Sequence, residues 1–362
     1  MSTTQAQVES FLKEYVDPNT NKTLGSTRSI REVVLTGGQA QIALNLGYPA
    51  KTLAQPLVQA LQLAIGAMPG ILGVDVSVQW QIKAHAVQAG LKPLAGIRNV
   101  IAVASGKGGV GKSTTAANLA LALQAEGARV GILDADIYGP SQPTMLGVQG
   151  RPESADGQTM TPLLGHGLQT MSVGYLIDPD QPMVWRGPMV TQALEQLLRD
   201  TRWDDLDYLI VDMPPGTGDV QLTLAQKVPV TGAVIVTTPQ DIAMLDARKG
   251  FRMFEKVGVP ILGVVENMST HICSQCGHEE SIFGAGGADK MCADFGTELL
   301  GSLPLHIQIR EQTDSGCPTV VADPQGALAQ IYGRIARRVA LKVAQRSEDH
   351  QAKFPKIVIQ NT

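Results

Sequence analysis

Cysteine, net charge and long apolar runs are all scarce in this chain of 362 residues, and each scarcity excludes a class of protein. The four cysteines lie in the C-terminal half, which suits a ligand or redox role better than a disulfide framework. A formal net charge of −4 gives no broad electrostatic basis for binding nucleic acid. No run of about 18 or more apolar residues occurs, and the opening MSTTQAQVESFLKEY lacks the basic and apolar regions of a signal peptide. We therefore expect a cytoplasmic protein with no nucleic-acid partner and no stable membrane association.

A phosphate-binding loop is the strongest chemical signal in the chain. An apolar, β-branched run from Val100 leads into GKGGVGKS at residues 106–113, and an Ala/Leu-rich helical pattern follows. This is the G-x-x-x-x-G-K-[ST] pattern in the strand–loop–helix context that it requires. We expect Lys112 to bind between the β- and γ-phosphates of a nucleotide and the Ser113 hydroxyl to ligate Mg²⁺. The nucleotide-binding residues predicted from this stretch are Gly106, Lys107, Gly108, Gly109, Val110, Gly111, Lys112, Ser113 and Thr114.

Lys107 gives the loop a second cation directly after its first glycine. Because Lys112 already serves one γ-phosphate, Lys107 either reaches a nucleotide bound by a partner subunit or is a solvated surface lysine. The string GKGGVGKST resembles the deviant Walker A loop of the family that includes MinD, ParA, the nitrogenase iron protein and the Mrp/ApbC-type iron–sulfur cluster carriers. That resemblance implies a homodimer with sandwiched nucleotides, in which Lys107 and Lys112 both act in hydrolysis.

Acidic residues at two strand ends extend the predicted nucleotide site. The run Arg129–Leu133 is followed by Asp134 and Asp136, and Tyr208–Val211 ends in Asp212, the Walker B pattern. Carboxylates at the carboxyl ends of strands beside a phosphate loop can hold Mg²⁺ waters or polarise an attacking water. An Asp pair that caps the next turn is the alternative for the first two. The resemblance of DADIYGPS to the family's first switch implies that Asp136 orients the hydrolytic water and Asp134 makes an outer Mg²⁺ contact.

Resemblance to the same family implies roles for three further residues. The segment PPGTGD at residues 214–219 resembles the second switch, where the Gly216 N–H group would sense a γ-phosphate. The N-K-x-D string of Ras-type GTPases is absent, and Asn267 near the end of a late strand matches the amide that this family sets against adenine. The predicted nucleotide is therefore ATP. The string WRGP at residues 185–188 matches the Mrp-type subgroup, with a structural ion pair as the favoured role of Arg186.

The pair Cys273 and Cys276 in HICSQCGH is the second informative stretch. A Cys-x₂-Cys turn aims two sulfurs at one point and suits soft metals, but two thiolates do not complete a four-ligand site. A homodimer would supply four thiolates, and resemblance to the Mrp/ApbC-type carriers implies a [4Fe–4S] cluster between the subunits. Zinc bound by the four thiolates of a dimer, zinc bound by the pair with His271 and His278, and a dithiol redox switch are the alternatives.

The other two cysteines are expected to be structural. Cys292 falls in a helical pattern and is predicted to lie in the core, and Cys317 is predicted to be a loop thiol.

The order of elements predicts an α/β protein with a doubly wound, mostly parallel P-loop NTPase sheet, preceded by a small two-layer α/β domain. The small domain has an α-β-β-α-β order with a hairpin at Gly37-Gly38, and its turn Met68–Ile71 resembles that of iron–sulfur assembly factors. The basic helix Ala327–Val343 is predicted to pack on the domain rather than to bind a membrane. The predicted domains are residues 1–85 (small domain), 86–98 (linker), 99–350 (ATPase) and 351–362 (tail).

Resemblance over residues 99–345 thus implies an ATP-dependent iron–sulfur cluster carrier. The resemblance also implies that slow ATP hydrolysis is coupled to loading of the cluster or to its transfer from scaffold proteins to recipient apoproteins. A MinD/ParA-type positioning ATPase and a zinc-stabilised scaffolding ATPase are the alternatives.

Overall fold

The computed structural model describes residues 2–88, 90–177, 187–273 and 275–352. The chain divides into two compact units, Met1–Lys83 together with the chain from Ala340, and Ala84–Val339. The last part of the C-terminal helix therefore groups with the N-terminal residues, which the sequence pattern did not indicate.

The first unit is built on a three-stranded sheet of residues 30–36, 39–46 and 73–80, in that order, with the first pair antiparallel and the second parallel. Its elements are α1 (Gln5–Glu14), β1 (Val16–Asp17), β2 (Lys22–Thr23), β3 (Ile30–Thr36), β4 (Gln39–Leu46), α2 (Ala54–Gly66) and β5 (Gly73–Trp80). Gly37 and Gly38 have φ of 58° and 82°, the left-handed conformations that a two-residue hairpin turn requires. Alternate residues of β4 are buried, as predicted, and they pack with α1 and α2 in one apolar core.

The second unit surrounds a nine-stranded sheet. Its strands are β6 (Ile97–Ala104), β7 (Val130–Asp134), β8 (Leu163–Gly165), β9 (Leu168–Ser172), β10 (Leu206–Asp212), β11 (Gly232–Thr237), β12 (Ile261–Ile272), β13 (Glu279–Glu280) and β14 (Leu299–Leu305). Its helices are α3 (Lys112–Ala125), α4 (Gln142–Met145), α5 (Gly187–Arg199), α6 (Asp219–Lys227), α7 (Asp241–Lys256), α8 (Gly287–Phe295), α9 (Ile307–Asp314), α10 (Thr319–Ala322) and the start of α11 (Ala327–Ala352).

Strand order places the phosphate loop in the middle of the sheet. The order β13–β12–β11–β6–β10–β7–β9–β8, with β14 also paired to β12, sets β10 and β7 side by side next to β6. All of these pairs are parallel except β8 with β9 and β12 with β13. Because ligands bind at the carboxyl ends of parallel strands in such sheets, the loop after β6 meets the ends of β7 and β10.

Two element boundaries differ from the sequence-based expectation. The strand predicted to end near Asn267 continues to Ile272, because its last residues pair with β13 in a hairpin that the sequence analysis missed. The C-terminal helix continues past Val343 to Ala352, and the rest of the predicted tail lies outside the described residues. Among the described residues, no helix is both long and apolar enough to span a bilayer.

Candidate functional site

The loop between β6 and α3 forms a cradle of backbone N–H groups. Gly109 and Gly111 adopt left-handed conformations with φ of 81° and 79°, and α3 begins directly after Gly111. A Cβ on Gly106 would lie 2.1 Å from the carbonyl carbon of Asp246, so only glycine fits there. In the described part of the chain, the N–H groups of residues 107–111 donate to no protein acceptor. These groups, together with the first turn of α3, are suited to bind an oxyanion.

Lys112 is the buried cation of the site. Its ammonium forms an ion pair with the fully buried Asp212 and donates a hydrogen bond to the Ser113 hydroxyl at 3.1 Å. The strand register sets Asp212 beside Asp134 at the ends of β10 and β7. The structure therefore brings together the lysine, the serine and both strand-end acids that the sequence predicted for one site.

Asp134 is a buried carboxyl with an unusual proton affinity. Four donors bind it at 3.0–3.2 Å: the N–H groups of Asp136, Ser141 and Gln142, and the hydroxyl of Ser172. Burial, with the nearby charge of Asp212, raises the pKa of Asp134 to about 7. Asp134 and Asp212 both lie near a single buried ammonium, that of Lys112, so an added cation would reduce the repulsion between the two carboxyls.

Gln142 belongs to this site, although the sequence analysis did not single it out. Its side chain is fully buried at the start of α4, and its Nε2 donates to Asp212 Oδ2 at 2.9 Å and to the Ser113 carbonyl at 3.1 Å. Because both partners are acceptors, the orientation of the amide is fixed. The signal that could have found this residue is its position directly after the DADIYGPS motif.

The other two residues predicted to act in hydrolysis are half-buried. Burial raises the pKa of Asp136; the Lys112 ammonium opposes this rise and the Asp212 charge adds to it. Lys107 forms no ion pair in the described part of the chain, and its backbone carbonyl accepts a hydrogen bond from the Ser105 hydroxyl at 2.8 Å. Within one chain, the Lys107 ammonium is thus not committed to a carboxylate.

Gly216 and Asn267 both contact the β6–α3 connection. The Gly216 N–H group donates to the Ser105 carbonyl at 3.0 Å. The Asn267 amide donates to the Val110 carbonyl at 2.9 Å, in a position that a Cβ on Gly111 would obstruct. Their predicted contacts with a γ-phosphate and with adenine stay predictions, because both groups here bond to the protein.

Cys273 and Cys276 lie in the turn of the β12–β13 hairpin. The Cys273 N–H group donates to the His278 carbonyl at 2.9 Å, and the Gly277 N–H group donates to the Cys273 carbonyl at 2.8 Å. Both thiols are free; Cys273 is half-buried and Cys276 is exposed. The backbone N–H groups of Cys276 and Gln275 face the Cys273 sulfur and lower its pKa. The turn therefore favours a thiolate, the form that binds metals.

The described residues of one chain offer no complete metal site around this pair. In the described ranges, no three His, Cys, Asp or Glu side chains are arranged to hold a metal ion. The ring of His271 instead faces Glu280, with 3.8 Å between Nδ1 and Oε1. The zinc site of one chain that was considered from the sequence is thus not assembled here.

The remaining cysteines lie elsewhere. Cys292 lies in the core of the second unit, as predicted, and burial raises the pKa of its thiol to about 11. Cys317 is half-buried, and its N–H group donates to the Gln312 carbonyl at 3.0 Å. Arg186 lies outside the described residues.

Comparison with known proteins finds relatives that are similar over most of the chain. An iron–sulfur cluster carrier protein of Escherichia coli strain K12 is 50% identical over 345 residues, which cover 95% of this chain and 94% of that protein. The iron–sulfur cluster transfer protein NUBPL of Mus musculus is 50% identical over 290 residues, 79% of this chain and 91% of that protein. A nucleotide-binding protein of Archaeoglobus fulgidus, solved in complex with ADP, superposes with a TM-score of 0.57 at 34% identity, over 66% of this chain and 93% of that one.

Family matches cover both units. The family described as iron-sulfur cluster assembly protein matches residues 5–78, and the NUBPL iron-transfer P-loop NTPase family matches residues 96–340. These matches confirm the predicted fold class, the ATPase class and both resemblances stated from the sequence. The chain belongs to the NUBPL iron-transfer P-loop NTPase family.

Proposed function

We propose that this chain is an ATP-hydrolysing iron–sulfur cluster carrier that works as a homodimer and passes a labile [4Fe–4S] cluster from scaffold proteins to recipient apoproteins. The observation that carries the proposal is the accessible pair Cys273 and Cys276 at the end of β12, the strand whose Asn267 contacts the phosphate loop. Five residues separate that contact from the first thiol, so a change in the loop can reach the sulfur pair along one strand. The names of the relatives at 50% identity support the same reading.

ATP binding and hydrolysis would use groups that lie close together at the phosphate loop and at the ends of β7 and β10. The Lys112 ammonium would leave Asp212 for the phosphates, and the unpaired N–H groups of residues 107–111 would bind their oxygens. Ser113 and, through water, Asp212 are the residues that fit Mg²⁺, because a hydroxyl and a buried carboxylate offer it the oxygen ligands it prefers. When bound, Mg²⁺ neutralises charge on the phosphates. Asp136, which is half-buried, would orient the attacking water.

The cluster half requires a second copy. Each chain offers two thiolates at the hairpin turn, and the described residues provide no third ligand there. Two chains would supply the four thiolates that a [4Fe–4S] cluster uses. Exposure of Cys276 leaves the cluster open to attack by the thiolates of a recipient, which is how a cluster would leave without unfolding of the carrier.

Lys107 supports the same arrangement. Its ammonium has no carboxylate partner within the described part of its own chain, although it stands in the phosphate loop. In a face-to-face dimer it would bind the nucleotide of the other subunit. A cytoplasmic location, and independence from membranes and nucleic acid, remain predictions from the sequence.

Anaerobic reconstitution with iron and sulfide tests the cluster half. Wild type should gain visible absorbance and about two iron atoms per chain, since one four-iron cluster is shared by two chains. Cys273→Ala and Cys276→Ala should each lose most of both signals, whereas the matched control Cys317→Ala should retain them. An equal iron content in wild type and all three variants would exclude Cys273 and Cys276 as cluster ligands. Zinc in place of iron in protein purified without oxygen would favour the zinc-stabilised scaffold.

Measurement of ATP hydrolysis tests the homodimer separately from the cluster. Lys107→Ala should bind nucleotide close to wild-type affinity but lose most ATPase turnover, because the lost cation acts on the partner's nucleotide. Lys249→Ala, which removes an exposed lysine on α7, is the matched control and should retain turnover. Normal turnover of Lys107→Ala would contradict the shared site.

A further inference from the structure

Gln142 joins three segments of the nucleotide site and has no part in the function proposed above. Its side-chain Nε2 lies 2.9 Å from Asp212 Oδ2 and 3.1 Å from the Ser113 carbonyl oxygen. Its backbone N–H group donates to Asp134 Oδ2 at 3.1 Å. One residue thus ties α4 to the phosphate loop and to the ends of β7 and β10.

Two oxygens at the start of α4 are buried without a partner. Neither Gln142 Oε1 nor Ser141 Oγ has a hydrogen-bond partner among the residues that the structure describes. Buried polar groups are almost always paired in folded proteins, and leaving one unpaired is destabilising. The two oxygens belong to adjacent residues, and the Gln142 amide also binds Asp212, the carboxylate that fits Mg²⁺; a second arrangement of α4 would give both oxygens partners.

We propose that Gln142 is a positioning residue that holds Asp212 while the site is free of nucleotide and releases it when Mg²⁺ and nucleotide bind together. An amide N–H group and a metal-bound water both donate a hydrogen bond to a carboxylate. The Gln142 amide therefore competes with the water shell of Mg²⁺ for Asp212 Oδ2. This inference rests on the nucleotide half of the proposed function and does not depend on the cluster.

Release of the amide changes how α4 is held. The helix is one turn long, with the Met145 N–H group bonded to the Ser141 carbonyl at 3.0 Å and the Leu146 N–H group bonded to the Gln142 carbonyl at 2.9 Å. A turn this short depends on its tertiary contacts. Without the amide bonds to Asp212 and Ser113, α4 opens more often, so occupancy by Mg²⁺ is transmitted to this segment.

The test compares nucleotide affinity with excess Mg²⁺ and with EDTA, using a fluorescent ADP analogue. Gln142→Met keeps the length of the side chain and removes its donor, and Gln149→Met makes the same change at an exposed residue three positions beyond Leu146. In Gln142→Met, the water shell of Mg²⁺ no longer competes with an amide for Asp212. When nucleotide binds without Mg²⁺ and Lys112 moves to the phosphates, Asp212 is left with no donor. Both effects raise the ratio of the Kd in EDTA to the Kd in Mg²⁺, by about tenfold for one bond to a charged group. Gln149→Met should keep the wild-type ratio.

Hydrogen–deuterium exchange of wild type provides a second readout that needs no variant. Amides 145–148 should exchange faster with Mg²⁺ and ADP than with ADP and EDTA, and in Gln142→Met they should be fast in both. An unchanged or lowered Kd ratio, or equal exchange in the two wild-type samples, would overturn the inference. Failure of wild type to bind nucleotide at all would instead overturn the proposed ATPase.

Discussion

The buried pair of Lys112 and Asp212 allows a stability prediction for the nucleotide-free protein. Lys112→Met removes the ammonium and retains a long, unbranched side chain. Asp212, which is fully buried, then keeps a single donor, the Gln142 amide at 2.9 Å. Removing one partner of a buried ion pair costs about 3–5 kcal/mol. Since the Gln142 bond persists, we expect a loss near the lower limit, about 3 kcal/mol.

A second substitution separates the charge from the packing. In the double variant Lys112→Met/Asp212→Asn, no uncompensated charge is buried, so its unfolding free energy should lie within about 1 kcal/mol of wild type. The coupling energy between the two positions should therefore be at least about 2 kcal/mol, and it is larger by whatever Asp212→Asn alone costs. ATP hydrolysis should be lost in both variants, because neither retains the cation that binds the phosphates.

Native-state hydrogen exchange in EDTA, without nucleotide, is the appropriate assay. The chain has two compact units, so a single melting curve would mix their transitions. Amides of β10, the central strand that ends at Asp212, report the opening of the second unit alone. A loss below about 1 kcal/mol in Lys112→Met, or an equal loss in the double variant, would refute the assignment of Asp212 as a charged partner.

Three further predictions concern other buried or reactive groups. Burial raises the pKa of Asp134 to about 7, so ionisation of Asp134 in the folded state costs stability as the pH rises towards 7. The unfolding free energy gained by Asp134→Asn should therefore be up to about 3 kcal/mol larger at pH 8 than at pH 5, measured by hydrogen exchange of the β10 amides. An equal gain at both pH values would contradict this. The Tyr208 hydroxyl is buried without a partner in the described residues, so Tyr208→Phe should raise the unfolding free energy by about 1 kcal/mol, and a clear loss would count against it. Iodoacetamide at pH 7.5 should modify Cys273 well before Cys292, whose thiol is buried with a pKa of about 11; equal rates by peptide mass spectrometry would disprove the contrast.

The fold and the phosphate loop could be predicted because local sequence determines them. Gly106 to Ser113 fix a loop conformation within eight residues, and the β-branched run before Asp212 specifies a buried strand ending in an acid. Parallel strands then bring their carboxyl ends together, so Asp134 and Asp212 meet without further information.

Long-range pairing was harder to anticipate. The two-residue strand β13 is too short to carry an alternating pattern, so the hairpin that presents Cys273 was missed. Gln142 was missed because nothing in its neighbours shows that its amide reaches Asp212, seventy positions away. In the same way, no local pattern indicated that α11 beyond Ala340 groups with the N-terminal unit.

Native mass spectrometry of the anaerobically reconstituted protein tests the central claim, a cluster shared between two chains, most directly. We expect one species with two chains and one [4Fe–4S] cluster, and loss of the cluster mass should return single chains when ATP is absent. With ATP present, mixing wild type with the Cys273→Ala/Cys276→Ala double variant should give mixed dimers that carry no cluster. A cluster retained on single chains, or on those mixed dimers, would contradict the account.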